Sequence, residues 1–409
     1  MSRGKHASAK KVKNRRNNRP QMEDIYSSSK RKNGFAVLTR IVLIIQVLAM
    51  AACTVYVAML DLIPLKYLIA LGVVEAFICG MQFFITAVKL RKRKNALRVI
   101  SIFLTVIIFV VSYFGVSYLD AFHSSVDEMT ESEEDIEVAP NAAEVTDEPF
   151  FIYLSGSDTR QYSNIPEKGL SDVNMVIAVD PVNHKILMVN TPRDYYVGLW
   201  GDSNKLDKLT HAGNYGIECS METLEALYDI EFNYYVKVNF KSVVDIVDAL
   251  GGITVNSEKA FSSRYSLSKR TYSFKVGENH LNGDAALAFA RERKSFAEGD
   301  RQRGKNQQIV IKAIFDKAIS PAILKPSNLK NILSSVSSNT KTNISKREIT
   351  SLFKMQLNDM SSWDFESVSV DGSGASRSTY SVSSYVYVMI PDETTVLEAK
   401  TALAAYKVD

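Results

Sequence analysis

Cysteine is scarce in this 409-residue chain: Cys53 and Cys79 lie within apolar runs, and Cys219 stands alone beyond them. The part that follows the apolar runs therefore cannot close an internal disulfide, and its stability has to come from a packed core. Histidine is nearly as sparse. His6, His123, His184, His211 and His280 are too scattered for a zinc site or a Ser/His/Asp arrangement, and His211 in KLTHAGNYG reads as structural. No GxxxxGKS or GxxxxGKT run occurs, which excludes a P-loop, and no internal repeat is visible. Net charge is small as well, at +4, yet that value is the residue of opposed blocks. Residues 1–34 carry eleven Lys/Arg against Glu23 and Asp24, and residues 89–98 add six more basic side chains. Residues 120–149 hold eleven Asp/Glu with no Lys or Arg, which leaves residues 150–409 neutral.

What is present at the N-terminal end is apolar length. Residues 35–60, 65–88 and 97–119 can each cross about 30 Å of hydrocarbon as a helix. The Lys/Arg excess before the first run and between the second and third assigns both flanks to the cytoplasm, so everything after residue 119 is expected outside the cell. The first run lacks a short apolar core followed by a small-residue cleavage site and reads as an anchor. Glu75 reads as a helix-packed or interfacial carboxylate. The basic tail, residues 1–34, fits a topology signal or a contact with anionic headgroups better than it fits DNA, and no helix-turn-helix pattern accompanies it.

Residues 120–149, acidic with scattered apolar positions, read as a solvated spacer before a folded domain of residues 150–409. In that domain, β-branched and aromatic runs (150–154, 174–180, 185–190, 234–238) alternate with amphipathic stretches (217–228, 239–252, 282–291, 300–320). This pattern predicts an α/β domain of three layers, α/β/α. The PVNH stretch between the second and third strands suits a tight antiparallel hairpin, so the sheet should be mixed. The remainder reads as a helix (345–358), a strand (365–370), a Ser/Gly-rich loop (371–384), a strand (385–390) and a final helix. Gly251 and Gly252 read as a helix end.

Polar clusters stand at the ends of these elements, where a rigid scaffold displays a site. Asp158 follows the first strand and Asp172 precedes the second, so the two carboxylates converge if those strands are neighbours. One or two carboxylates, with phosphate oxygens and water, is how Mg²⁺ is usually held. Arg291 and Arg293 flank one helix end, and Asp300, Arg303 and Gln307 open the next, with Arg303 and Gln307 on one face. Arginine grips phosphate oxygens with a planar fork of donors, and a helix N-terminus adds its positive end.

In order, GSD, SD followed by VNMVIAVDP, VNTPRD, THAGNYG, NFKSVVDIVDALGGI, LNGDAALAFARER and GDRQRGKNQQ make the chain resemble the LytR-CpsA-Psr family of Gram-positive envelope proteins over residues 150–320. The three preceding apolar runs look like its capsule-type members. The resemblance implies transfer of a glycopolymer phosphate, of capsule or teichoic acid type, from a polyprenyl pyrophosphate carrier to peptidoglycan. It also implies Mg²⁺ (or Mn²⁺) on Asp158 and Asp172, and pyrophosphate contacts from Arg193, Arg291, Arg293, Arg303 and Gln307. Asp300 would support the arginines, Arg193, Asp172 and Arg303 would carry catalysis, and the lipid tail would lie in an apolar tunnel. Water as acceptor would give pyrophosphatase activity.

Two departures stand out. Many members have Arg two residues before the second Asp, where this chain has Leu170; Arg160 or Lys168 could substitute. The accessory domain frequent in capsule-type members has no room in residues 120–149. No general base is evident, and Asp194 reads as a partner of Arg193. Two other readings compete: a membrane-bound transcriptional regulator acting through the basic tail, and a scaffold that holds lipid-linked polymer without turnover.

Overall fold

The computed structural model describes residues 22–61, 63–87, 94–129, 143–158, 165–297, 299–320 and 340–408. They fall into two compact units, residues 1–55 with 69–113, and residues 56–68 with 114–409.

The first unit is built from three helices, α1 (Met22–Met59), α2 (Leu65–Ala87) and α3 (Lys94–Met129). Val37–Met59, Leu65–Phe84 and Ala96–Ala121 are long and apolar enough to cross a membrane. Their polar side chains turn toward one another: Thr105 bonds Gln46, Gln82 donates to the Ser101 carbonyl at 3.4 Å, and Thr54 donates to Glu75 at 2.8 Å. Glu75 is thus packed between helices, the arrangement expected of a carboxylate that must find a partner away from water. Most of the basic tail (residues 1–21) and the loop at 88–93 lie outside the described residues.

The second unit is a mixed α/β domain. Strands β1 (Phe150–Ser157), β2 (Val173–Asp180) and β3 (Lys185–Thr191) form an antiparallel meander. The tight turn between β2 and β3 uses Asp180 to accept from the Asn183 amide at 2.9 Å, and His184 takes a left-handed φ of 53°. Strand β6 (Tyr234–Asn239) lies parallel to β1, and β12 (Asp364–Ser369) lies parallel to β3. With β11 (Thr340–Thr342) the six-stranded order is β11-β6-β1-β2-β3-β12.

Alternation along these strands makes two cores. Phe151, Tyr153, Val176, Ala178, Leu187 and Val189 face α5 (Ile217–Tyr228) and the terminal helix α10 (Glu393–Ala404). Phe150, Met175, Val179, Ile186 and Met188 face α8 (Asp300–Ala318) and α9 (Lys346–Asp359). Leu224 and Tyr228, one turn apart on α5, are essentially buried, each contributing about 1.5–3 kcal/mol. A third core joins α6 (Phe240–Ala249), α7 (Gly283–Arg291) and α8 to the small hairpin of β7 (Ile253–Ser257) and β10 (Gly277–Leu281). Asn239 and Ser242 form a capping box that starts α6, and Gly251 and Gly252, at φ 75° and 91°, end it.

Two expectations are revised. The Ser/Gly-rich stretch contains a strand, β13 (Gly372–Arg377), paired antiparallel with β14 (Val386–Pro391). Its poor intrinsic strand propensity is outweighed by a strongly β-forming partner. The acidic stretch is helical through Met129, and after residues 130–142, outside the described residues, it packs on the domain: Val145 is buried and the Ala143 amide donates to Tyr234 Oη at 3.1 Å. Val145, Ala143 and the Tyr234 hydroxyl make this contact, and composition averaged over 30 residues conceals it.

Candidate functional site

One end of the sheet carries the cavity. Because β1 and β2 pair in register Gly156↔Val173, and the Asp172 amide donates to the Gly156 carbonyl at 2.7 Å, the end of β1 and the start of β2 are held side by side. Asp158 and Asp172 therefore line one cavity of about 110 Å³, together with Arg193, Arg291, Arg293, Arg303 and Gln307. Residues separated by up to 149 positions in sequence meet there, and seven of the eight named from sequence are among the nine that line it. The eighth, Asp300, is the first residue of α8; its side chain lies outside what the structure describes.

Each carboxylate is matched to an arginine. Arg193 Nη1 lies 2.5 Å from Asp172 Oδ1, and Arg291 Nη2 lies 3.0 Å from Asp158 Oδ2. Arg291 is fixed in three ways: it also donates to the Tyr265 carbonyl at 3.1 Å and stacks 4.2 Å from the Phe240 ring centroid. Phe240 and Tyr265 are the two lining residues that sequence reasoning missed. Phe240 was in view, directly after the Asn239 cap, but nothing in its spacing marks a cation–π contact. Tyr265 contributes its carbonyl to Arg291, and a backbone acceptor leaves no trace in residue type.

The turn between α7 and α8 is shaped by Glu292, which is 2% exposed and accepts from the amides of Arg293, Lys294 and Ser295 at 3.0, 2.7 and 3.0 Å. With three successive amides on its Oε1, this carboxylate sets the path of the chain as it leaves Arg291. Helix α8 then sits close over β3: a Cβ on Gly304 would lie 2.1 Å from Asn190 Nδ2. Gln308 completes the seam, donating to the carbonyls of Met188 and Val368 at 3.0 Å each. This approach is what carries Arg303 and Gln307, either side of Gly304, to the cavity.

Asp194 behaves as a partner of Arg193. Its Oδ2 is 3.6 Å from Arg193 Nε, while its Oδ1 accepts from Lys208 Nζ at 2.9 Å. His211 is held by Asp207, Nδ1 to Oδ1 at 2.7 Å, and does not line the cavity. Asp207 is 0% exposed; burial acts to raise its pKa, but hydrogen bonds from His211 and from the Ser381 and Lys208 amides prevail and hold it at about 2. Leu170 and Lys168 are exposed, and Arg160 lies outside the described residues.

Among the described residues no group of three His, Cys, Asp or Glu could hold a metal by itself. Two carboxylates in a cavity rich in phosphate-gripping arginine nonetheless suit a hard cation that takes its other ligands from phosphate and water. A larger cavity, about 490 Å³, is lined by Glu225, Asp229 and Glu231 with Lys407 as its one basic side chain, a balance that disfavours a polyanion.

The profile of the LytR_cpsA_psr family matches residues 113–405. The chain is similar to the "Polyisoprenyl-teichoic acid--peptidoglycan teichoic acid transferase TagU" of Bacillus mycoides (strain KBAB4), at 37% identity over 212 residues, 52% of this chain and 64% of that protein. The match therefore spans just under two thirds of that relative's length. Among solved structures, B. subtilis TagV is similar with a TM-score of 0.52 at 30% identity, covering 63% of this chain and 97% of that one. TagT bound to LIIa-WTA is similar with a TM-score of 0.50 at 25% identity, covering 65% and 93%. Since the matched profile runs through both halves of the cavity, from β1 to α8, the chain belongs to the LytR_cpsA_psr family.

Proposed function

We propose that this protein transfers a glycopolymer phosphate from a polyprenyl pyrophosphate carrier to peptidoglycan. The observation that carries this reading is the convergence of Arg193, Arg291, Arg293 and Arg303 with Asp158 and Asp172 in one small cavity of a domain without net charge. In the reaction, an acceptor hydroxyl oxygen bonds to the phosphorus that bears the glycopolymer, the bond from that phosphorus to polyprenyl phosphate breaks, and the hydroxyl proton passes to the released phosphate or to water. Charge grows on the departing phosphate, and the four guanidinium groups gathered at the cavity, two of them positioned by Asp158 and Asp172, would stabilise it. TagU is named for transfer of teichoic acid to peptidoglycan and TagT is bound to LIIa-WTA, which supports the same substrate class here.

Asp158 and Asp172 would hold Mg²⁺, which would supply further charge neutralisation on the pyrophosphate. Asp194 positions Arg193. Phe240, at the start of α6, puts an apolar ring in the cavity wall, where a polyprenyl chain leaving the pyrophosphate would meet it. With basic flanks inside, the three apolar helices would hold the domain at the outer membrane face, where lipid-linked polymer and wall meet.

The test is release of polyprenyl phosphate from a polyprenyl pyrophosphate-linked saccharide by the detergent-solubilised full chain, with Mg²⁺ and peptidoglycan. Acceptor-dependent release that disappears in Arg193→Ala and Asp172→Ala supports the transferase. Lipid binding without release in the wild-type chain would instead mean a scaffold.

A further inference from the structure

Beside Arg193 the domain carries an aromatic ridge that the transfer chemistry does not use. It is built by the β13–β14 hairpin docked on a second hairpin, β4 (Tyr196–Gly198) with β5 (Leu206–Lys208). The docking bonds are specific: the Met389 amide donates to the Asp194 carbonyl at 2.8 Å, the Tyr380 amide to Leu206 at 2.8 Å, and Tyr196 Oη to the Ser378 carbonyl at 3.0 Å. The buried Asp207 pins the connecting loop by accepting from the Ser381 amide at 2.7 Å.

On the outside of this platform Trp200 and Tyr215 lie 4.8 Å apart at 60°, and Tyr215 and Tyr380 lie 6.2 Å apart at 48°. Tyr380, Tyr385 and Tyr387 are 52%, 74% and 53% exposed. Tyr387 reaches across β13 at Gly374, where an added Cβ would sit 3.0 Å from its Cε2. Aromatic surface of this extent costs solvation and marks a contact surface. The ridge connects to the cavity through Lys208 and Asp194: Lys208 Nζ is 5.9 Å from the Tyr387 ring centroid and 2.9 Å from Asp194, whose other oxygen faces Arg193.

We propose that this ridge binds the glycan strand of the peptidoglycan acceptor and delivers its hydroxyl to the Arg193 side of the cavity; this rests on the transferase reading above. Pyranose rings present polarised C–H faces that stack on the negative faces of aromatic rings, and the Ser-rich loop at 378–384 offers hydroxyls to sugar hydroxyls. Charge selects the acceptor over the donor polymer. Residues 372–391 contain Arg377 and no Asp or Glu, and Lys205 and Lys208 are already matched to Asp202 and Asp194 at 3.6 and 2.9 Å. That weakly cationic surface suits a largely neutral sugar chain with scattered carboxylates. A polymer with a phosphate in every repeat calls for arginine density like that of the cavity.

The experiment is co-sedimentation of the detergent-solubilised full chain with insoluble peptidoglycan stripped of wall polymer, using wild type, Tyr380→Ala/Tyr385→Ala, Tyr380→Phe/Tyr385→Phe and Arg193→Ala. The expected result is at least a tenfold weaker retention of the double Ala variant, with the double Phe variant and Arg193→Ala retained as wild type. Undiminished retention of the double Ala variant overturns the proposal. So does release of the wild-type chain by soluble, carrier-free teichoic acid at concentrations that leave the double Ala variant unaffected, because the ridge then holds donor polymer. Retention is read without turnover, so a chain inactive in transfer still tests the ridge, and an active chain with indifferent tyrosines sinks the ridge alone.

Discussion

At the residue scale, Arg193 and Arg291 are the two groups on which the site reading turns. Replacing Arg193 by Ala removes a preorganised donor from the cavity and leaves Asp172 without its 2.5 Å partner. Turnover should fall about 10²–10³-fold, measured as acceptor-dependent release of polyprenyl phosphate. Arg291→Lys tests geometry at constant charge: one ammonium cannot serve the Tyr265 carbonyl, Asp158 and the Phe240 face together, so the loss should approach that of Arg291→Ala. Asp207 carries a stability prediction. Its carboxyl is held at about 2 in the fold, below the ordinary value near 3.9, so the folded state favours the ionised form. That contribution, about 2 kcal/mol, is complete above pH ~4 and fades as pH falls toward 2. In Asp207→Asn it is absent throughout, so the gap in melting temperature between variant and wild type should narrow on acidification from pH 5 to pH 2.

At the scale of elements, the sheet was readable because short apolar runs rich in β-branched and aromatic residues at 150–154, 174–180 and 185–190 alternate with longer amphipathic stretches, and the PVNH turn marked the second and third strands as an antiparallel hairpin. The hairpin of β13 and β14 was hidden because Gly372, Gly374, Ser373 and Ser376 carry no such pattern. The packing of α8 on β3 was equally hidden, since Gly304 looks like a weak point in a helix until Asn190 is seen against it. Gly304→Ala should destabilise the domain by about 1–3 kcal/mol through overpacking, read as a shifted denaturant midpoint. It should also lower turnover beyond the stability loss, because Arg303 and Gln307 move with the helix.

At the scale of the whole molecule, the charge blocks predict that the domain faces outward and residues 88–93 face the cytoplasm. A periplasm-type alkaline phosphatase fused after Asp409 should be active, whereas the same reporter fused after Lys92 should be silent; the reverse pattern would place the cavity on the side away from the wall. Membrane-length helices, their flanking charges and the three-layer class were set by composition and period alone, because these are local properties that every residue in a segment repeats. Asp158, Asp172, Arg193, Arg291, Arg293, Arg303 and Gln307 were named through the resemblance carried by an ordered set of motifs, and the structure brings them to one cavity. Which carboxylate each arginine meets, the use of Phe240 and a backbone carbonyl to aim Arg291, and the aromatic ridge beside Arg193 were decided only by tertiary structure. Each depends on the register of strands and the approach of helices far apart in the chain, and such distances are not encoded in any one segment.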